Sequence, residues 1–445
     1  VAQLPIFGAF PDSSRPVVPR AETAQALLDK CLAGSRGGSL EQHAAEALEL
    51  LSALSGDPAP DSQVPVTWPP EGTQASRRMA TGLSAWLTRV NAQVVARHLE
   101  AQPTMPSAVK ILSLSAAEDG EVVDAALRRA CHHLTANSVI RALRELGAVG
   151  SRSGGGKRPS FDRLAALVAS SGGSSVRGKE KRQWLRQQLM EWHRAGAHKL
   201  MGSPLWKVYS LLAGNVDDVV EDALDWRTAF GMFVWYGCPD MNEDRPHEHG
   251  LLRAVHQFEG AVKQRAAACA FRPAPPHAIG GCQPHPTGGR PPARGLAACL
   301  EATDLHFNIV RSAVGLADWR DLSNFDYDTY TARPLDVACS WHVSLLVLAL
   351  CGGDAGGSAF QWQTQQYSFL LESLGHWEWA LRVSLFIQDA RARSAAVRGL
   401  LQRHAGLLAA AGGRCKVWDA VPSAWFRCAQ ARHCEASRDW LPAVA

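Results

Sequence analysis

Asp217, Asp218 and Glu221, in the run DDVVED (217–222), are the residues of this sequence best suited to chemistry. On a helix they would share one face, and carboxylates so arranged can hold Mg²⁺ and, through it, a diphosphate. That chemistry also needs a second acidic helix facing the first, and basic side chains for the diphosphate. No second acidic run of this kind is present. The expectation is therefore structural: an acidic first turn ahead of ALDW (223–226), favourable at the positive end of a helix.

Other constellations fail on spacing. GSRSGGGKRPS (150–160) is Gly-rich and basic, but Gly150 to Gly156 is one residue too long for GxxxxGK[ST], and Arg158 stands where the Mg²⁺-binding hydroxyl belongs. No buried strand precedes it, so a basic loop is expected. Cys269, His277, Cys282 and His285 carry the usual Zn²⁺ ligand types, yet intervals of seven, four and two residues match no common module. HEHG (247–250) lacks the i, i+4 histidine pair of HExxH. His132 and His133 sit on a helix and are read as surface or cap residues.

The elements around these residues speak for packing. ESLGHWEWALRVSLF (372–386) places Trp377 and Trp379 two apart, with Glu378 between them. Residues two apart on a helix point about 200° away from each other, whereas an aromatic cage for a cation needs rings that converge. Leu370, Leu374, Trp377, Leu381 and Leu385 follow one face, and Trp379, Val383 and Phe386 a second. A helix apolar on two sides is sandwiched between other helices. Burying each indole removes roughly 150–250 Å² from water. In LDWRTAFGMFVWYG (224–237), Trp226, Phe230 and Phe233 share a face, and Trp235 lies away from it. Trp226, Phe230, Trp235, Trp341, Trp377 and Trp379 are accordingly assigned to structural packing. No catalytic, cofactor-binding or metal-ligating residue is assigned.

A chain of 445 residues exceeds the usual single core, which implies two or three domains or an array whose core runs along its length. Lys+Arg 46 against Asp+Glu 42 gives a formal charge of +4, too slight to make nucleic acid or an anionic membrane the main partner. The 11 Cys are spread singly along the chain, a pattern of buried free thiols in a reducing compartment, cytosolic or nuclear. The longest apolar run, VSLLVLALC (343–351), is well short of the roughly 20 residues that span a bilayer. The chain starts at Val1 without a basic segment followed by an apolar one, so no secretory signal is expected, and a start without Met suggests a fragment.

Apolar residues recur at helical spacing almost everywhere, and no stretch alternates with period two. The spacing predicts an all-α chain with helices near 20–34, 39–55, 76–100, 120–132, 136–148, 160–170, 178–196, 203–214, 222–237, 249–270, 294–315, 334–351, 359–374, 375–388, 390–411 and 421–437. Gly-, Ser- and Pro-rich breaks at 56–72, 150–160, 170–175, 271–295 and 352–358 read as loops, with 271–295 the most mobile. Many medium helices in series suggest an irregular α-solenoid, and no fixed repeat period points to a regular repeat family.

Three stretches, LDWRTAFGMFVWY (224–236), ARPLDVACSWHVSLLVLAL (332–350) and LESLGHWEWALRVSLFI (371–387), resemble the scaffold nucleoporin ninety-six family. That family is the C-terminal product of a precursor shared with nucleoporin ninety-eight and a member of the Y-shaped complex of the nuclear pore. QQLMEWHRAG (187–196), LWKVYSLLAGN (205–215), AVRGLLQRHAG (396–406) and VPSAWFRCAQARH (421–433) fit the same family in the same order. The resemblance implies the ancestral coatomer element, a solenoid folding back on itself. It would comprise an extended lead-in (1–19), an outgoing trunk (20–110), a crown (111–240), a returning trunk (241–380) and the start of a tail (381–445). It implies nucleoporin one hundred and seven as partner at the crown, a Sec-thirteen-type β-propeller at the trunk and hub nucleoporins at the tail. It implies no direct nucleic acid, no membrane span and no cofactor. The strands that complete the propeller are not recognisable in 1–75, where QLPIFGAF (3–10) is the nearest extended segment. Most of the tail would lie beyond Ala445.

The expected role is thus a structural scaffold at the nuclear envelope, supporting transport of mRNA and protein through protein–protein contacts, without catalysis. Two rivals follow from the same residues. One is a vesicle-coat scaffold of the same fold. The other is an all-α Mg²⁺-dependent prenyl-type enzyme resting on Asp217, Asp218 and Glu221.

Overall fold

The computed structural model describes residues 39–55, 73–101, 116–150, 161–172, 178–237, 250–265, 271–275, 303–331, 333, 336–351, 358–410 and 421–437. Among them the chain is all-α, with no strand. The expected helix at 20–34 and most of the expected loops lie outside the described residues. Two units are separated by contact, one comprising 71–274 and the other 1–70 with 275–445. Helix α1, Ser39–Ser55, belongs to the second of these.

In the 71–274 unit, α2 is Thr73–Ala101, α3 Ala116–Thr135, α4 Val139–Gly150, α5 Asp162–Ser171, α6 Gly178–Arg194, α7 Ser203–Ala213, α8 Trp226–Met232 and α9 Gly250–Gln264. Packing follows the chain: α3 lies on α4, α4 on α5, α5 on α6 and α6 on α7, while α7 also meets α3. Pro204 opens α7 in its first turn, where a missing N–H costs nothing. Gly214 closes it at φ 80°. A Cβ there would stand 2.7 Å from the Tyr236 carbonyl oxygen, so the site demands glycine for both conformation and space.

DDVVED does not begin a helix. It forms two short 3₁₀ turns, Val216–Asp218 and Val220–Asp222, because Val216, Val219 and Val220 turn inward to the core. The helix starts only at Trp226, where Asp225 and Thr228 make a reciprocal capping box: the Thr228 N–H donates to Asp225 Oδ1 at 2.8 Å and the Asp225 N–H to Thr228 Oγ1 at 3.0 Å. After Met232 the chain widens into a π turn, Phe233–Gly237. Such turns insert a residue into the helical register and are often found at functional sites.

In the other unit, α10 is Leu305–Ala313, α11 Ala338–Cys351, α12 Ser358–Ser373, α13 Trp377–Ser384, α14 Ala390–Arg403, α15 Ala405–Ala410 and α16 Ser423–Ala436. Here α11 lies on α12, α12 on α13, α13 on α14, and α14 and α15 on α16; α1 packs against α10 and α11. Helix α11 is apolar all round, and Trp341, Val343, Leu346 and Leu350 are all buried, as such a helix must be. Asp304 caps α10 by accepting from the His306 N–H at 2.8 Å, which sets the start of that helix at Leu305. No helix among the described residues is long and apolar enough to cross a membrane.

The stretch 370–386 is two helices, as the expected ranges 359–374 and 375–388 have it. Gly375, at φ 81°, ends α12 and resets the helical phase before Trp377. The continuous apolar face expected across the break does not form, and Leu374 is 62% exposed.

Candidate functional site

In the 71–274 unit the aromatic residues of α8 and the π turn form the core. Trp226, Phe230, Phe233, Trp235 and Tyr236 are all buried, so the segment is enclosed on every side, including the side on which a regular helical phase sets Trp235 apart. The extra residue of the π turn directs four successive side chains, Phe233 to Tyr236, into the interior. Polar anchors fix them. Trp235 Nε1 donates to Ser84 Oγ at 2.9 Å, Arg182 Nη1 donates to the Trp235 carbonyl at 2.8 Å, and Tyr236 OH donates to the Leu134 carbonyl at 3.2 Å. The Arg182 guanidinium also lies 5.6 Å from the Tyr236 ring centroid, a charge buried against an aromatic face. Asn91 Nδ2 donates to the Arg227 carbonyl at 3.0 Å, tying α2 to α8.

The acidic run is taken up by basic and polar partners, two of its carboxylates by the same arginine. Arg265 lies 3.6 Å from Asp217 and 3.5 Å from Glu221, Ser210 Oγ donates to Asp218 at 3.1 Å, and Lys207 Nζ reaches Asp222 at 2.6 Å. Asp217, Asp218 and Glu221 therefore do not present the shared helical face that a Mg²⁺–diphosphate site would use.

Asp222 and Lys207 instead line a cleft of about 490 Å³ together with His98, Asp124, Cys131 and His132. The His98 and His132 rings meet edge to face at 5.0 Å. Burial first, and the neighbouring His98 second, hold the His132 imidazole down at about 4. Burial pushes the Cys131 thiol up to about 12, with Asp222 adding to it. At neutral pH the cleft thus offers a neutral imidazole and a protonated thiol, which is not a nucleophile. His133 is buried and lies 3.8 Å from Glu145, and burial lowers its pKa as well. The surface or cap role expected of His133 is corrected, because its side chain is buried where α3 lies against α4, whereas His132 is half-buried at the edge of the cleft. The sequence signal was available only in part, since His98 and His132 each fall in the last turn of a helix but nothing local says the two ends meet.

In the other unit Trp341 is surrounded by rings: Tyr367 at 5.0 Å, Phe386 edge to face at 5.5 Å and Phe360 stacked at 6.4 Å. Its Nε1 donates to Thr364 Oγ1 at 3.1 Å. Trp377 is buried and stacks on the His404 ring at 5.5 Å and 17°. Trp379 differs from expectation. It is half-buried, with the Arg382 guanidinium 4.9 Å from its ring centroid, so at this position the second apolar face of α13 is closed by a cation.

Apolar side chains also remain at the surface. In the 71–274 unit these include Ile140, Trp184, Met190 and Leu200, the last 91% exposed. In the other unit Trp362 and Phe369, seven apart on α12, share one side of that helix, and Phe369 is 61% exposed. Single exposed apolar side chains are normal on a protein surface, and only a contiguous patch of them points to a partner. The candidate ligand set Cys269, His277, Cys282 and His285 lies outside the described residues, as do HEH (247–249) and residues 151–160.

A curated relative, the nuclear pore complex protein NUP96 of Arabidopsis thaliana, is 37% identical over 79 residues, a stretch that spans 17% of this chain and 7% of the relative. The profile of the family described as Nuclear protein 96 matches residues 128–433. Because that match covers more than half of the sequence, the chain belongs to the Nuclear protein 96 family.

Proposed function

We propose that this protein is a structural scaffold of the nuclear pore, located at the nuclear envelope and acting through protein–protein contacts in the Y-shaped complex. The observation that carries the reading is the family match over 128–433, and the name of the plant relative points the same way. The packing supports it. Large rings such as Trp235 and Trp341 are spent on joining helices, and each helix lies mostly on its neighbour in the chain, the pattern of an α-solenoid. Helix α1 lies on α10 and α11, hundreds of residues further along, as a solenoid that folds back would require.

In this reading 20–110 is an outgoing trunk, 111–240 a crown, 241–380 a returning trunk and 381–445 the start of a tail. Ile140, Trp184, Met190 and Leu200 all fall within the crown and suit a helical partner such as nucleoporin one hundred and seven. A Sec-thirteen-type propeller would be held at the trunk and hub nucleoporins at the tail. Support for mRNA and protein transport would follow from assembly of the pore.

The test is affinity purification of the tagged chain from cells, with a fluorescent fusion imaged in parallel. Pore subunits and a nuclear-rim signal are expected. Enrichment of endoplasmic-reticulum coat subunits without pore subunits would overturn the reading.

A further inference from the structure

His43, Glu46 and His306 bring one potential ligand atom each to within 4.8 Å of one another, and all three residues are buried. His43 and Glu46 are three apart on α1, so they share a helix face, and His306 comes from the first turn of α10. The ring centroids of His43 and His306 lie 4.0 Å apart. Asp304, also buried, completes the surroundings: its carboxylate is 3.4 Å from His306 Nδ1 and 3.9 Å from His43 Nε2.

The hydrogen-bond pattern orients these groups for a metal. His306 Nε2 lies 3.0 Å from the His43 carbonyl oxygen, which can only accept, so Nε2 carries a proton and Nδ1 is the nitrogen turned towards Asp304. An imidazole that gives one N–H to a backbone carbonyl and presents its other nitrogen to an ion is the usual outer-sphere arrangement of a ligating histidine. Two carboxylates and two neutral imidazoles match a divalent ion in charge. Nitrogen and carboxylate oxygen are ligands of Zn²⁺ at about 2.0–2.2 Å. Ligand atoms around such an ion stand roughly 3.3 Å apart, a contraction from the present spacing that side-chain torsions can supply.

We propose that His43, Glu46 and His306, with Asp304 beside them, form a structural binding site for a divalent transition-metal ion of the zinc type. The ion joins α1 to α10 across residues separated by 263 positions in the chain. It fastens α1 to the later helices of the same unit, and with Asp304 as fourth ligand it leaves no open coordination position for catalysis. The site stands whether or not the chain is a pore scaffold.

The test is metal analysis of the full chain. After equilibration with zinc and removal of the excess, mass spectrometry should find one zinc per chain. Co²⁺ in its place should give the intense visible bands of a four-coordinate site, and a chelator should lower the melting temperature. The variants His43→Gln and Glu46→Gln should lose the ion. Asp304→Asn keeps the helix cap, since Asn caps as well as Asp, and should weaken zinc binding about 10–100-fold. Folded wild-type protein that takes up no zinc overturns the proposal. So does zinc retained with unchanged affinity by His43→Gln or Glu46→Gln, because the ion would then be held by other residues, such as the cysteines. Should those two variants not fold, unchanged zinc affinity in Asp304→Asn overturns it equally.

Discussion

Trp235 donates its indole N–H to Ser84 Oγ at 2.9 Å, although 151 residues separate them in the chain. The bond joins the π turn to the middle of α2, and it is available only because the turn's extra residue rotates Trp235 inward. On a regular α-helix continuing from Trp226 and Phe230, Trp235 would have faced away from them. The indole fills its place tightly: the Cβ built at Gly231, one turn earlier, stands 2.6 Å from a Trp235 ring carbon and 2.9 Å from Asn91 Nδ2.

Gly231→Ala should therefore destabilise the protein by about 1–3 kcal/mol, the usual effect of overpacking a filled core. Gly260 in α9 is the control, because nothing lies within 4 Å of its would-be Cβ. There the alanine gains helix propensity and should be neutral or stabilising by up to about 1 kcal/mol. Urea denaturation of the two variants checks the contrast; equal effects would mean the Trp235 ring does not sit as described.

Glu372 links three helices. Its carboxylate accepts from Arg403 at 2.6 and 2.8 Å and lies 3.0 Å from His404 Nε2, whose ring is stacked on Trp377. The hydrogen bond from Arg403 holds the Glu372 carboxyl below its ordinary 4.5. A carboxyl depressed in the folded state adds stability that is fully present above the ordinary value and is lost as pH falls through the folded one. Arg403 is more than half exposed, so the contribution is screened to at most about 1 kcal/mol. Glu372→Gln should lower the melting temperature at neutral pH and should show a smaller further loss on acidification below 4.5 than the parent.

His132 works in a different pH window. Held at about 4 in the fold, it takes up a proton near 6.5 once unfolded. Between these values the unfolded chain binds more protons, so stability present above 6.5 declines as pH falls towards 4. Each tenfold difference in proton affinity between the folded and unfolded chain is worth about 1.4 kcal/mol, so the loss is on the order of 1–3 kcal/mol. His132→Gln should flatten the stability profile over that range, measured by denaturant midpoints at several pH values. An unchanged slope would show that His132 is solvated.

Most of the helices were legible because their signals are local. Apolar spacing with the glycines at 214 and 375 marks where helices run and stop, and the boundaries 39–55 and 203–214 follow from it closely. The π turn was not legible, since FVWYG has no local reason to widen and does so under the packing around Trp235. DDVVED departs from the helical phase its spacing predicts, because burial of Val216, Val219 and Val220 selects 3₁₀ turns. The cleft at His98 and His132, and the approach of His306 to His43, depend on helix ends meeting in space. The i, i+3 pair His43 and Glu46 was visible in the sequence, but its partner lay 263 residues away.

The exposed apolar residues give the last prediction. Leu200 follows a short 3₁₀ turn and is 91% exposed, so Leu200→Asp should change stability by no more than about 0.5 kcal/mol. Trp184, half out of α6, is the second target. If the proposed scaffold role holds, these positions should respond in the protein's associations and not in its fold. Leu200→Asp combined with Trp184→Glu should keep the helical circular dichroism and melting temperature of the parent while reducing the recovery of co-purifying pore subunits. Leu211→Asp, at a fully buried position of α7, should instead unfold the protein and lose all partners together. Full recovery of partners by the folded double variant would remove these side chains from any interface and leave the α12 residues Trp362 and Phe369 as the surface to test next.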